Sequence, residues 1–142
     1  MIRQNIVFVE NRAGSLKKVT NLLKEENINI YGFACFDAPE FAIFRMVCNE
    51  PERAEKLLSE HGYMNRITQA IAVDMKDEVG GLDALLTVLS DSNVSLDYIY
   101  TSFHRQSLVP AVILQAEDIF VTESILKNNG FTVFNRVEEL ER

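Results

Sequence analysis

Long apolar runs are missing from this sequence. Nowhere do about 18 consecutive residues stay apolar, so no membrane-spanning helix is expected, and the start Met1-Ile2-Arg3-Gln4-Asn5 leads into a short apolar strand without a secretory core and cleavage site. The expected address is the cytoplasm. Cysteine is scarce: Cys35 and Cys48 each sit inside an apolar run, with no second Cys or His at metal-ligand spacing, and both are expected to be small buried hydrophobes. Histidine occurs at His61 and His104 only, neither with a Cys, Ser or carboxylate partner placed by the predicted elements. The expectation is a protein that is not an enzyme and holds no metal or cofactor. Positive charge is in deficit, with a net charge of −7. Phosphate backbones are repelled, and no basic-aromatic run of an RNA-binding sheet is present, so nucleic acid is not an expected partner.

What is there is the balance of a globular protein, 47% hydrophobic and 25% charged. Two short turns organise it: Val9-Glu10-Asn11-Arg12-Ala13-Gly14-Ser15-Leu16 and Met75-Lys76-Asp77-Glu78-Val79-Gly80-Gly81-Leu82. Each follows a strand-like apolar run and precedes a helix-like one. Gly14 and Gly80 lie 66 positions apart, and the same spacing pairs Leu16 with Leu82, Leu23 with Leu89, Asn27 with Asn93 and Ile28 with Val94. A tandem repeat follows.

In the first copy, residues 6–9 read as a strand, and residues 15–27 as an amphipathic helix with Leu16, Val19 and Leu23 inward. Residues 28–36 and 41–48 read as strands around a hairpin loop. A helix follows to about His61, with Asn49 as its cap, Pro51 in its first turn and Gly62 as its stop, and then a strand over 63–68. The second copy repeats this: strand 70–75, a helix striped by Leu82, Leu85, Leu86 and Leu89, and strands 94–103 and 108–116 about a loop at 104–107. A helix over 118–129 follows, with Val121, Ile125 and Leu126 inward, and then a strand over 131–136. Residues 138–142 are too charged for a core. The fold class is α+β, two ferredoxin-like βαββαβ repeats over residues 1–69 and 70–142, with helices on one sheet face. No Gly, Ser or Pro cluster separates them. Because strands 28–36 and 41–48 are apolar in both parities, the helix-free face is expected to pack against another copy, giving a homodimer.

Each turn places unpaired N–H groups at the positive end of a helix, where a carboxylate or phosphate is favoured and glycine lets a ligand approach the main chain. The turn N-R-A-G-S-L, a helix, and then N-I-N-I opening a strand resembles the ACT domain, the amino-acid-binding regulatory module of enzymes of amino-acid metabolism. D-E-V-G-G-L followed by N-V-S-L resembles a second one, so the likeness covers essentially the whole chain. The resemblance implies repeats side by side in one eight-stranded, mostly antiparallel sheet, with a free amino acid bound where the turn of one unit meets the second strand of its neighbour. It implies main-chain contacts from Asn11, Arg12, Ala13, Gly14, Ser15 and Leu16, and from Asp77, Glu78, Val79, Gly80, Gly81 and Leu82. Asn29 matches the polar residue at the start of the second strand, with Ser95 its shorter counterpart; Tyr31, Phe33, Tyr98 and Tyr100 are candidates to shape the side-chain pocket. Acidic Asp77 and Glu78 against neutral-to-basic Asn11 and Arg12 imply two sites of unequal affinity. The alternative is a non-catalytic regulatory subunit acting by protein–protein interaction on an amino-acid-biosynthetic enzyme.

Overall fold

The computed structural model describes residues 1–103 and 110–141. The chain forms two bodies: one is Arg3–Thr68, and the other joins Met1–Ile2 to the chain from Gln69 onward.

In the first body β1 (Ile2–Glu10) leads through the first turn into α1 (Ser15–Glu25), followed by β2 (Ile30–Asp37), β3 (Phe41–Cys48) and α2 (Pro51–Glu60). The strands pair antiparallel in the order β2-β3-β1, with Val7 opposite Phe44 and Phe33 opposite Met46. Strand period and helix period then bring one set of residues together. Val7, Val9, Phe44 and Met46 from the sheet meet Val19 and Leu23 of α1 and Ala54 and Leu58 of α2. Each large side chain so buried contributes about 1.5–3 kcal/mol.

The strand β4 (Asn65–Asp74) is followed by α3 (Gly81–Asp91), β5 (Leu96–Thr101), β6 (Ala111–Ala116), α4 (Ile119–Asn128) and the two-residue β7 (Val133–Phe134). In the second body the antiparallel order is β5-β6-β4-β7. Its core repeats the first: Ile71, Val73, Val112 and Leu114 against Leu85, Leu89 and Leu126.

Several expectations need correction. The strands expected over 63–68 and 70–75 are one continuous strand, β4, so the described residues hold seven strands rather than eight. Nothing between Thr68 and Ala70 breaks an extended backbone. Asn49 does not cap α2, whose cap position is Glu50; its Oδ1 accepts the Asn29 N–H at 2.9 Å instead. Cys35 is exposed, because it lies on β2, which is bonded on one side only among the described strands. Val121 is exposed, since α4 buries the row Thr122 and Leu126. Residues 138–142 were expected outside the core, yet a 3₁₀ helix, Val137–Glu141, puts Val137 and Leu140 three apart on one side, where both are buried. The predicted loop at 104–107 lies outside the described residues.

Candidate amino-acid site at the glycine turns

The two turns share one hydrogen-bond skeleton. Arg12 N–H donates to the Glu10 carbonyl at 2.9 Å, and Glu78 N–H to that of Lys76 at 3.0 Å; Ser15 N–H donates to Arg12, and Gly81 N–H to Glu78, at 3.2 and 3.0 Å. Lys18 and Ala84 close the first helical turns on the carbonyls of Gly14 and Gly80. Both glycines stand at the helix cap position with φ +84°, a left-handed conformation that L side chains resist. Neither end has a side-chain cap. With Ser15 and Gly81 satisfied inside the turns, the next two N–H groups of α1 and α3 are left to an outside acceptor, as helix geometry requires. An added Cβ would meet nothing within 4 Å at Gly14 or at Gly80, so this side of each turn is open.

The chemistry around the ends differs. Asn11 Nδ2 donates to Asp37 Oδ1 at the end of β2, and Arg12 is ion-paired with Glu10, its Nε 2.7 Å from Oε2. In the second turn Glu78 and Gly81 instead line a cleft of about 340 Å³ with Asp74, Lys76 and Ala84, closed on the far side by Asn129 to Thr132. Gly81 is buried: a Cβ there would stand 2.1 Å from the Lys76 carbonyl oxygen. Val79 is fully exposed, and Leu82 is also exposed.

Asn29 and Ser95 are not beside these turns within their own bodies. Each lies beyond the C-terminal end of its helix, and 11 residues of helix span about 16 Å. Both line matching clefts. One, of about 470 Å³, is formed by Thr20, Leu23, Lys24, Asn27, Ile28, Asn29 and Ile30. Its counterpart, of about 410 Å³, is formed by Leu86, Leu89, Ser90, Asn93, Val94, Ser95 and Leu96, the residues at the repeat spacing. Asn27 and Asn93, which the repeat spacing pairs in the sequence, take positive φ of 56° and 58° in the walls of these clefts. Their repetition beside Ile28 and Val94 was the available signal. Tyr31 and Tyr100 are buried, Tyr98 stacks on Tyr100 with centroids 6.4 Å apart, and Phe33 is exposed, its ring 6.1 Å from that of Phe44. Among the described residues no cluster of three or more His, Cys, Asp or Glu could hold a metal, and no helix is long and apolar enough to cross a membrane.

Repeated turns of this kind are matched by the family model described as an ACT domain pair, over residues 1–136. The chain belongs to the ACT domain pair family. The structure of protein BT0572 from Bacteroides thetaiotaomicron is similar to this ACT pair at 26% identity and a TM-score of 0.88, covering 99% of this chain and 96% of that one. The fold is also similar to that of the regulatory subunit of aspartate kinase from Thermus thermophilus, at 14% identity, a TM-score of 0.60 and coverage of 90% and 91%. The corresponding subunit from Thermus flavus has 16% identity and a TM-score of 0.54, with coverage of 89% and 91%. A search of curated proteins finds no match. The ACT assignment accounts for the shared skeleton of the two turns; the differences in charge and in cleft shape belong to this chain.

Proposed function

We propose that this ACT pair is a non-catalytic sensor of a free amino acid, bound by the glycine-capped starts of α1 and α3. The observation that carries this reading is the pair of uncapped helix N-termini at Gly14 and Gly80, where an added Cβ would meet nothing within 4 Å. Contacts from Asn11 to Leu16 and from Asp77 to Leu82 are to the main chain. Asn29 and Ser95 do not meet the ammonium within their own bodies, since they stand at the opposite helix ends. Glu78 and Asp77 favour the ammonium and oppose the carboxylate at the second turn, so affinity there is the lower. A homodimer is part of the proposal, supported by exposed Phe33, Phe36 and Phe41 on the first body's strands.

Thermal unfolding with each of the twenty amino acids tests it. A ligand at 100 times its dissociation constant adds about 2.7 kcal/mol. No shift with any of them at millimolar concentration would refute the sensor reading. Gly14→Asn, which tolerates the left-handed backbone while adding a side chain at the open turn, is expected to weaken binding with little loss of stability. Sedimentation velocity tests the dimer.

A further inference from the structure

The charge of this protein is carried by one body. Residues 3–68 hold nine basic and nine acidic side chains, and the remainder holds five and twelve, so the second body has the whole net charge of −7. Between Asp77 and Leu126 the sequence has a single basic residue, Arg105.

The helices of this body are also apolar at three of four exposed positions where those of the first are polar. Leu82 and Leu86, one turn apart on α3, are 47% and 36% exposed, and Phe120 and Val121 at the start of α4 are 66% and 51% exposed. The matching positions in the first body are Leu16, Thr20, Glu52 and Arg53. Leu86 lines the 410 Å³ cleft at the end of α3. Phe120 and Val121 line a neighbouring cleft of about 590 Å³, which shares Asn93, Val94 and Ser95 with it and has Glu117 and Asp118 in its wall. The surface is therefore one concave strip with apolar knobs at both ends and carboxylates along it. The C-terminal end of α3 carries no basic residue in its last turn, so its carbonyl dipole adds to the negative field. Among the described residues no ion pair involves Glu117 or Asp118.

We propose that this α3–α4 face docks a partner protein through an amphipathic segment whose basic side chains flank apolar ones. Charge complementarity selects that occupant: the apolar knobs supply burial, and the carboxylates of Glu117 and Asp118, without a cationic partner among the described residues, select a cationic rim. A second copy fits badly, because a two-fold contact would set each acidic face against itself.

The test uses the full chain and a labelled helical peptide of about 18 residues built from Lys and Leu, beside its Glu and Leu counterpart, read by fluorescence anisotropy. The Lys/Leu peptide is expected to bind at least about tenfold tighter than the Glu/Leu one and to weaken with salt. Leu86→Gln with Phe120→Gln is expected to weaken it about tenfold and Glu117→Gln a few-fold, whereas Lys17→Gln on the first body leaves it unchanged. Glu117→Gln alters one exposed side chain and keeps the test open should the double substitution impair folding. Equal affinity for the two peptides, or binding indifferent to these substitutions, would overturn the proposal. So would a fall in sedimenting mass on the double substitution, which would give the face to a second copy. Amino-acid thermal shifts measured on Glu117→Gln, which leaves residues 11–16 and 77–82 untouched, are expected to persist, so this proposal and the sensor reading fail separately.

Discussion

Gly81→Ala isolates the second turn from the first. The added Cβ would stand 2.1 Å from the Lys76 carbonyl oxygen and 3.2 Å from its carbon, where real Cβ atoms do not come within 3.0 Å of such a neighbour. The turn must therefore open by about 1 Å, and the obstacle is main chain, which has no rotamer to escape into. That same carbonyl accepts the Glu78 N–H at 3.0 Å. Overpacking of this kind costs about 1–3 kcal/mol, and the loosened hydrogen bond adds about 1 kcal/mol. Equilibrium urea unfolding should report a loss of about 2–4 kcal/mol with the slope unchanged. Gly80→Ala is the control, because its Cβ meets nothing within 4 Å and only the φ of +84° opposes it; its expected cost is about 1–2 kcal/mol. A Gly81→Ala protein within about 0.5 kcal/mol of the parent would refute the reasoning, as would a Gly80→Ala protein that loses more. Amino-acid binding at the first turn should survive both.

Cys48 gives a pH prediction. Its thiol is fully buried, donates to Asn5 Oδ1 at 3.5 Å, and is pushed up from 9.0 to about 11 by burial, against a hydrogen bond from the Glu50 main chain that lowers it and with a smaller push from the charge of Glu50. The folded protein keeps a proton that the unfolded chain gives up, so this contribution is intact below about pH 9 and is lost as pH rises through about 11, at most ~3 kcal/mol in all. Unfolding measured across that range should show the decline, and Cys48→Ala should flatten it. Leu140→Ala is expected to cost about 2–5 kcal/mol in urea unfolding, because the side chain is wholly buried, while exposed Glu138→Ala stays within about 0.5 kcal/mol. Asn49→Ala should cost about 1 kcal/mol by leaving the Asn29 N–H without its 2.9 Å partner, and native-state hydrogen exchange should speed at that amide.

What could be read from the sequence was whatever a local period encodes. Val19 and Leu23, and Leu85 and Leu89, fall on helical stripes, and the repeat spacing that joins Gly14 to Gly80 also joins their hydrogen-bond skeletons. Phe41–Cys48 was bounded correctly because Pro39 and Pro51 punctuate it on either side. The failures are competitions that a local pattern does not decide. Val121 and Thr122 offer α4 two neighbouring rows, and packing chose the less apolar one. Val137 and Leu140 were hidden among Glu138, Glu139 and Glu141, whose charge dominates the local composition. Asn49 has the chemistry of a cap, but its partner is Asn29, twenty residues back. At the candidate site the turns were legible as turns; the clefts beside Asn29 and Ser95 depend on where a helix end and a strand start converge, and only the assembled body defines that.

The second body is not one stretch of chain. Ile2 is 1% exposed and Met1 packs against the core of Ile71, Leu85 and Leu126, so these first residues close a body whose other members begin at Gln69. During synthesis they are made before the first body and must wait through all of it for their partners. A cut at 68/69 would accordingly yield an N-terminal piece carrying two stray residues and a C-terminal piece lacking them. The order of folding is set by that interleaving: the first body has its full complement once Thr68 is made, and the second completes its core only when its C-terminal half returns to Met1 and Ile2.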